Sequence, residues 1–506
     1  LVTLTASQEY SSRHARWTAE VARRQRTQDQ LVYTRLALGA VLAVIAAFAL
    51  GFETISALWL LPPALALFVL IALHPGRERE LQRALRSKAF YDRAIARLEN
   101  RWHGTGSQGE SYRDPNHVYA DDMDLFGRGS LFELLSNART ATGERTLASW
   151  LLAPGEHADV TARQGAVAEL ATRLDLREDL AVLGDDIRAA LDDRSLAKWG
   201  ARPPVKFFTG APVVALILAI IAATTAGAWL LDYATLRPFL YTAVVELLFA
   251  VSIRKQIFEV TDSVNTPARE LLLIALLLER LEKESFTSPA LLALHARLAG
   301  GTGRIRNLER LVEWKEWAHN QIFGVIAAPL LWVPQFAMAI ERWRVAHGPS
   351  IADWIAAVGE FEALGSLAAF TFERPEATFP TLSDAAEPGY SAIELAHPLI
   401  APNEAVPNDV ALNKATPLWI ISGSNMSGKS TLLRAVGLSV VMAWAGAPVP
   451  ARELRLTRLR IGASLRANDS LADHRSRFYA EIVKLKNIVE AAGANQQILF
   501  LLDELL

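Results

Sequence analysis

Gly423, four intervening residues, and then Gly428-Lys429-Ser430 make the pattern G-x-x-x-x-G-K-S. An apolar, strand-like run precedes it at 418–422 and a helix-forming run follows it, the setting in which this pattern cradles phosphate. Glycines let the backbone curl until successive N–H groups point at one anion. The following helix adds its positive N-terminal end. Lys429 brings a mobile charge to β and γ phosphates, and the Ser430 hydroxyl ligates Mg2+. Gly423, Ser424, Asn425, Met426, Ser427, Gly428, Lys429, Ser430 and Thr431 are therefore the candidate ATP-binding set. A second part lies downstream, where Ile498–Leu502 is a continuous apolar run ending in Asp503-Glu504. Such a run suits a buried parallel strand. Asp503 is placed there as a candidate Mg2+ ligand, and Glu504 as the group that orients or deprotonates an attacking water. Lys429 and Glu504 are the candidate catalytic residues, and Ser430 and Asp503 the candidate metal ligands.

Those residues need an α/β sheet, and most of the chain reads differently. Its 506 residues suggest about three domains. Lys plus Arg number 52 and Asp plus Glu 54, giving a net charge of −2, which excludes a polycation coating nucleic acid by bulk charge. The absence of cysteine excludes disulfides, cysteine-ligated zinc and thiol nucleophiles. Hydrophobic residues make up 51%, which argues against disorder. Residues 36–52, 55–73 and 207–231 carry no charge and reach the length of about 17 residues at which a helix spans a bilayer. A fourth run, 239–251, is shorter and contains Glu246, either a functional group inside a span or one lying near the interface. Pro62 and Pro63 lie in the second run, where a membrane helix tolerates them. Arg23, Arg24, Arg26 and Arg35 precede the first pair of runs, and Arg77, Arg79, Arg83, Arg86 and Lys88 follow it. Lys198, Arg202 and Lys206 precede the second pair and Arg254 and Lys255 follow, while the tips carry only Glu53, Asp232 and Arg237. The positive-inside rule then puts both ends and all large segments in the cytoplasm of a multi-pass inner-membrane protein.

The domain reading is a basic N-terminal segment at 1–31, a membrane hairpin at 32–74, and a helical region at 75–202. A second hairpin follows at 203–254, then helical levers at 255–375 and the nucleotide-binding domain at 376–506. Residues 269–283 alternate apolar and charged faces at helical spacing. Residues 321–340 are apolar but broken by Pro329 and Pro334, and read as a buried helix pair rather than a fifth span. Arg304, Arg306, Arg310 and Lys315 are candidates to line a DNA-facing helix, with a solvated helical face as the commoner explanation. A strand ending in Asp-Glu predicts more of the sheet beyond Leu506, so the chain reads as C-terminally truncated.

The residues from Gly423 to Ala451 resemble the MutS ATPase segment. Asn425-Met426 sits inside the loop, and Gly446, Val449, Pro450 and Ala451 match a later turn. Arg460-Ile461-Gly462-Ala463 and Ser476-Arg477-Phe478-Tyr479-Ala480-Glu481 are similar to two further signatures, with Arg477 in place of Thr. His397-Pro398-Leu399 and Pro407-Asn408-Asp409 resemble the approach to the ATPase domain. Residues 129–154, with Thr140, Gly143 and Arg145, are similar to the MutS core. The resemblance implies an all-α core and lever region followed by an incomplete P-loop NTPase domain, here joined to helical membrane hairpins. It implies an ATPase that pairs head to tail as a homodimer, with Ser476 reaching the partner's γ-phosphate and Asn425 touching the nucleotide. Double-stranded or mismatched DNA is the implied partner of such a clamp.

Three departures stand out. The basic segment and hairpin at 1–119 leave no room for the mismatch-reading domain, and Phe90-Tyr91-Asp92 reads as a coincidental likeness to its intercalating motif. Ala405 stands near the position of an adenine-stacking aromatic, and His474 occupies a usual Gly position. The competing function is a membrane ATPase that remodels a protein or envelope partner without DNA. A transporter is a weaker third, because large soluble segments interrupt the spans.

Overall fold

A computed structural model describes residues 5–51, 56–188, 192–320, 323–385, 387–424, 426–465, 477–492 and 497–503. The helices are α1 (Ala6–Ala46), α2 (Leu61–Leu98), α3 (Leu131–Leu135), α4 (Ala141–Leu152), α5 (His157–Ala171) and α6 (Leu174–Arg188). They continue with α7 (Asp193–Gly200), α8 (Ala211–Leu230), α9 (Arg237–Ser252), α10 (Arg254–Glu282), α11 (Pro289–Leu298) and α12 (Gly301–Glu316). Then come α13 (Phe323–Ala327), α14 (Trp332–Glu373), α15 (Lys429–Ala445) and α16 (Arg477–Ala492). The strands are β1 (Thr381–Ser383), β2 (Tyr390–Leu395), β3 (Asn408–Leu412), β4 (Glu453–Thr457), β5 (Arg460–Ser464) and β6 (Ile498–Leu502). Contacts divide the chain into two compact units. One holds Leu1–Ser136, Ala171–Val182 and Leu367–Leu506, the other Asn137–Leu170 and Leu183–Ser366.

In the first unit, α1 starts at a capping box. Thr5 accepts from the Gln8 amide, and the Gln8 side chain accepts from the Thr5 amide, satisfying two orphan donors. The N-terminal part of α1 and the C-terminal part of α2 pack around Tyr10, Phe90, Tyr91 and Ala94, joined by Leu174 and Ala181. Phe90 and Tyr91 are 4% and 0% exposed, so neither is available to intercalate between bases. At the heart of this cluster Arg97 forms a buried bidentate pair with Glu373, and the Tyr10 hydroxyl donates to the same carboxylate at 3.2 Å. The far ends of the two helices are the reverse of a soluble core. Val41, Val44, Phe48, Leu65, Phe68 and Ile71 are all exposed.

The second apolar run differs in detail from the expectation of one continuous span. A short 3-10 turn occupies Ala57–Leu60, and α2 begins at Leu61 with proline at its first positions. Pro62 and Pro63 thus sit where a helix has no N–H bond to lose, rather than inside it.

Helices are the only regular secondary structure among the described residues of the second unit. Ala211, Ala215, Ala219 and Ala222 form the buried seam of α8, while Val213, Ile217, Ile220 and Ile221 face outward. Small residues inside and large apolar ones outside is the arrangement of helices that pack in lipid. Among the described residues, four helical stretches are long and apolar enough to cross a membrane by length and composition. They are Ala6–Leu50, Leu58–Leu98, Ala211–Leu230 and Trp332–Glu373. The most apolar window of the first two is 0% buried and of the third 17%, but that of the fourth is 72% buried. The described part of the run 321–340, from residue 323, falls across α13, a turn and the start of this mostly buried α14. The run 239–251 lies in α9, which has 16 residues and is not among the four. Ile253 alone separates α9 from α10, so no flexible linker joins them.

The first unit also carries the strands. A four-stranded sheet has the order β1-β4-β2-β3, with β1 parallel to β4 and the other pairs antiparallel. A bulge in β2 places Glu394 at φ 53, and β5 and β6 form a separate parallel pair, Arg460 opposite Ile498 through Ser464 opposite Leu502.

Candidate functional site

The loop and the two-stranded sheet converge at the start of α15. Gly428 is the N-cap in the left-handed region (φ 91), which glycine adopts without strain, and no side chain caps the helix. The first-turn amides of α15 therefore have no capping partner from a side chain, and an anion is the natural one. Met426, at φ 66, is fully exposed at the crest of the loop. A Cβ on Gly423 would lie 2.8 Å from the Ser427 hydroxyl, so the loop closes tightly at this glycine. The Lys429 ammonium folds back, donating to the carbonyl oxygens of Gly423 at 2.9 Å and Ser424 at 3.0 Å. It is a half-buried cation held within its own loop, at the position where it can exchange those carbonyls for phosphate.

The Ser430 hydroxyl donates to the Asp503 carboxylate. These two residues are far apart in sequence, and strand β6 brings them together. The Asp503 amide continues the ladder by donating to Ser464 O at 3.0 Å, which fixes the carboxylate at the strand end. A hydroxyl and a carboxylate side by side are hard oxygen donors, the kind Mg2+ takes in company with substrate phosphates. Among the described residues no cluster of three His, Asp or Glu forms a complete metal cage. Ser424, Ser427 and Thr431 are exposed around the same helix start. Asn425, Ser476 and Glu504 lie outside the described residues.

The expected strand at 418–422 is a correction. Residues 417–424 carry no strand, and Leu418 and Ile420 are 71% and 86% exposed. The physical reason is the missing ladder. Among the described residues β5 pairs only with β6, so the apolar run has no strand beside it to supply hydrogen bonds.

A supporting layer behind the loop was not anticipated. Residues 118–125 pack under α15 and β5. Val118 O accepts from Ala463 N at 3.0 Å, and the Asp122 carboxylate accepts from Leu465 N at 2.9 Å and pairs with Lys484. Arg434, one turn into α15, donates to Asp122 O at 3.2 Å and lies 3.6 Å from Asp124. A Cβ on Gly437 would collide with the Met123 side chain and lie 2.8 Å from Leu501. Only the acidic run Asp121-Asp122-Met123-Asp124 hinted at this in the sequence. His397 belongs to the same unit. Burial, with Arg434 as the second cause, lowers its imidazole to about 4, so it is neutral at physiological pH. Its Nδ1 accepts from Leu399 N at 3.3 Å.

The candidate DNA-facing cations of α12 do not form one exposed stripe. Lys315 is 3% exposed and donates to Asn265 at 2.9 Å, and Arg306 pairs with Glu279. Arg304 and Arg310 are exposed.

Comparison with known proteins matches two regions of the chain. Residues 117–319 match the family model of MutS domain III and residues 419–506 that of MutS domain V. Together they cover more than half of the chain. The chain is 27% identical over 460 residues to the DNA mismatch repair protein MutS of Myxococcus xanthus, covering 78% of this chain and 48% of that one. It is 34% identical over 209 residues to MutS of Desulforamulus reducens, covering 40% of this chain and 23% of that one. It is 33% identical over 208 residues to a probable DNA mismatch repair protein Msh6 of Drosophila melanogaster, covering 40% and 16%. The chain spans less than half the length of each of these curated relatives.

Proposed function

For this chain of the MutS family, supported by its matched domains III and V, we propose an ATP-binding and ATP-hydrolysing protein anchored in the inner membrane. The observation that carries it is the meeting of Ser430 and Asp503 at the uncapped start of α15, with Lys429 beside them. Phosphate oxygens would take the amides of the loop and helix start, and the Lys429 ammonium would move from Gly423 and Ser424 onto them. Ser430 and Asp503 would hold Mg2+, which when bound offsets phosphate charge. Glu504 would orient the attacking water and take its proton.

Anchoring rests on the outward-facing apolar side chains of α1, α2 and α8 and on the basic flanks of the hairpins. The nucleotide domain then lies in the cytoplasm. Two copies would pair head to tail through these domains, the Ser476 segment of one reaching the nucleotide of the other. Opening and closing of that dimer would act on α10, which follows α9 with a single residue between them. Duplex DNA, mismatched or branched, is the partner that the relatives' names bring to this reading.

A membrane ATPase acting on a protein or envelope partner is the second reading. It is favoured by the internal pairing of Arg306 and the burial of Lys315. The deciding experiment is Mg2+-dependent ATP hydrolysis by the full chain in lipid nanodiscs, with and without homoduplex, mismatched and branched DNA. Stimulation by DNA that falls steeply with salt supports the clamp. Hydrolysis indifferent to every DNA supports the second reading, and no hydrolysis at all refutes both.

A further inference from the structure

Glu246 is the third buried residue on one face of α9, with Thr242 and Phe249. It is 5% exposed, and its Oε1 has no hydrogen-bond partner among the described residues. It lines a cavity of about 510 Å³ between α9 and a wall that includes Ala318, Gly324 and residues of 327–334, within the helical unit. That volume lies inside the usual range of small-molecule sites, roughly 300–1,000 Å³. The rest of the lining is apolar, including Phe239, Ala243, Leu247 and Trp332. None of the described lining residues carries a positive charge. A carboxylate so placed costs free energy unless something in the cavity pairs with it.

We propose that this cavity binds a primary alkylammonium, its amine on Glu246 and its hydrocarbon along the α9 and 327–334 walls. Three observations select this chemistry. The one acidic group is alone and lacks a counter-charge, so a cationic donor completes it with a charge-assisted hydrogen bond. Two aromatic side chains line the same space, and aromatic faces favour cations. The remaining walls offer only apolar surface, which suits an alkyl tail and rejects a polyamine. The indole N–H of Trp332 is already committed to Trp314 O at 2.5 Å, so the ring, not its donor, is what the site presents. The amine has two cellular sources, a free alkylamine or the headgroup of an aminophospholipid. Ile253 alone lies between α9 and α10, so an occupant of this cavity sits at the base of the proposed lever.

The test is native mass spectrometry of the full chain released from neutral maltoside micelles, with dodecylamine or dodecanol added at matched concentrations. The expected result is one dodecylamine retained per chain at a concentration at least about tenfold below that needed for dodecanol, a modest yield for one charge-assisted bond. Glu246→Gln keeps the shape and is expected to abolish that difference while dodecanol is still retained. Ala243→Phe, which fills the cavity, is expected to lose both. Competition by phosphatidylethanolamine but not phosphatidylcholine identifies a lipid headgroup as the source, and its absence identifies a free amine. Equal retention of amine and alcohol by the unaltered chain, or an amine preference that survives Glu246→Gln, overturns the proposal.

Discussion

Replacing Glu373 by Ala removes the anion from the buried cluster that ties α1 and α2 to the end of α14. Arg97 and Glu373 are 8% and 7% exposed, and their contact is bidentate, with Arg97 Nε to Glu373 Oε2 at 2.8 Å and Nη2 to Oε1 at 2.5 Å. The Tyr10 hydroxyl adds a third bond, and burial pushes that hydroxyl's pKa well up, so it stays a donor. Taking away the carboxylate removes the bidentate partner of a guanidinium in a low-dielectric core, which costs about 3–5 kcal/mol. Replacing both partners by apolar residues, Arg97→Met with Glu373→Leu, removes the buried charges together and is expected to cost far less than the two single changes together. The coupling between the sites is then about 2–3 kcal/mol. Amide hydrogen exchange along α1 reads this locally, which suits a multidomain chain better than one global melting temperature. Exchange near Tyr10 is expected to accelerate by about a hundredfold or more in Glu373→Ala and to recover substantially in the double variant. Unchanged exchange in the single variant, or strictly additive losses, would refute the reasoning.

His397 makes stability depend on acid. Its folded pKa of about 4 lies below the unfolded value near 6.5, so the unfolded chain binds the extra proton. Stability contributed by the neutral ring is therefore full above about 6.5 and falls as pH drops towards about 4. Urea titrations of His397→Gln are expected to flatten in that window. Gly437→Ala drives a methyl into Met123 and Leu501 and is expected to cost about 1–3 kcal/mol, seen as a lower urea midpoint. Asp503→Asn keeps the strand end but weakens its cation ligation, so Mg2+ should strengthen nucleotide binding far less than in the unaltered chain, by titration with and without the metal.

The start of α15 was the most legible part of the candidate loop, because the signal for it is local. Glycine spacing, one lysine and one hydroxyl carry it, and the structure places Gly428, Lys429 and Ser430 at the start of a 17-residue helix as that spacing requires. The strand Ile498–Leu502 was legible for a similar reason, being five apolar residues that end at a carboxylate. The strand at 418–422 was not, since a strand exists only with a partner, and sequence says nothing of whether a partner is paired. The layer formed by residues 118–125 was hidden because nothing local announces contacts across more than three hundred residues. The Arg97–Glu373 pair was hidden for the same reason, since each residue reads alone as an ordinary surface charge. The apolar runs were legible as composition, but only burial separates α14 from the others. Its apolar window is mostly inside, whereas those of α1 and α2 face outward.

Nucleotide titration of the full chain, unaltered and with Lys429→Ala, reaches the centre of the account. Because the Lys429 ammonium bonds to exposed loop carbonyls among the described residues, its removal is expected to leave the fold intact and to weaken ATP binding severely. Equal ATP affinity in the two proteins would contradict the phosphate site and every functional statement built on it.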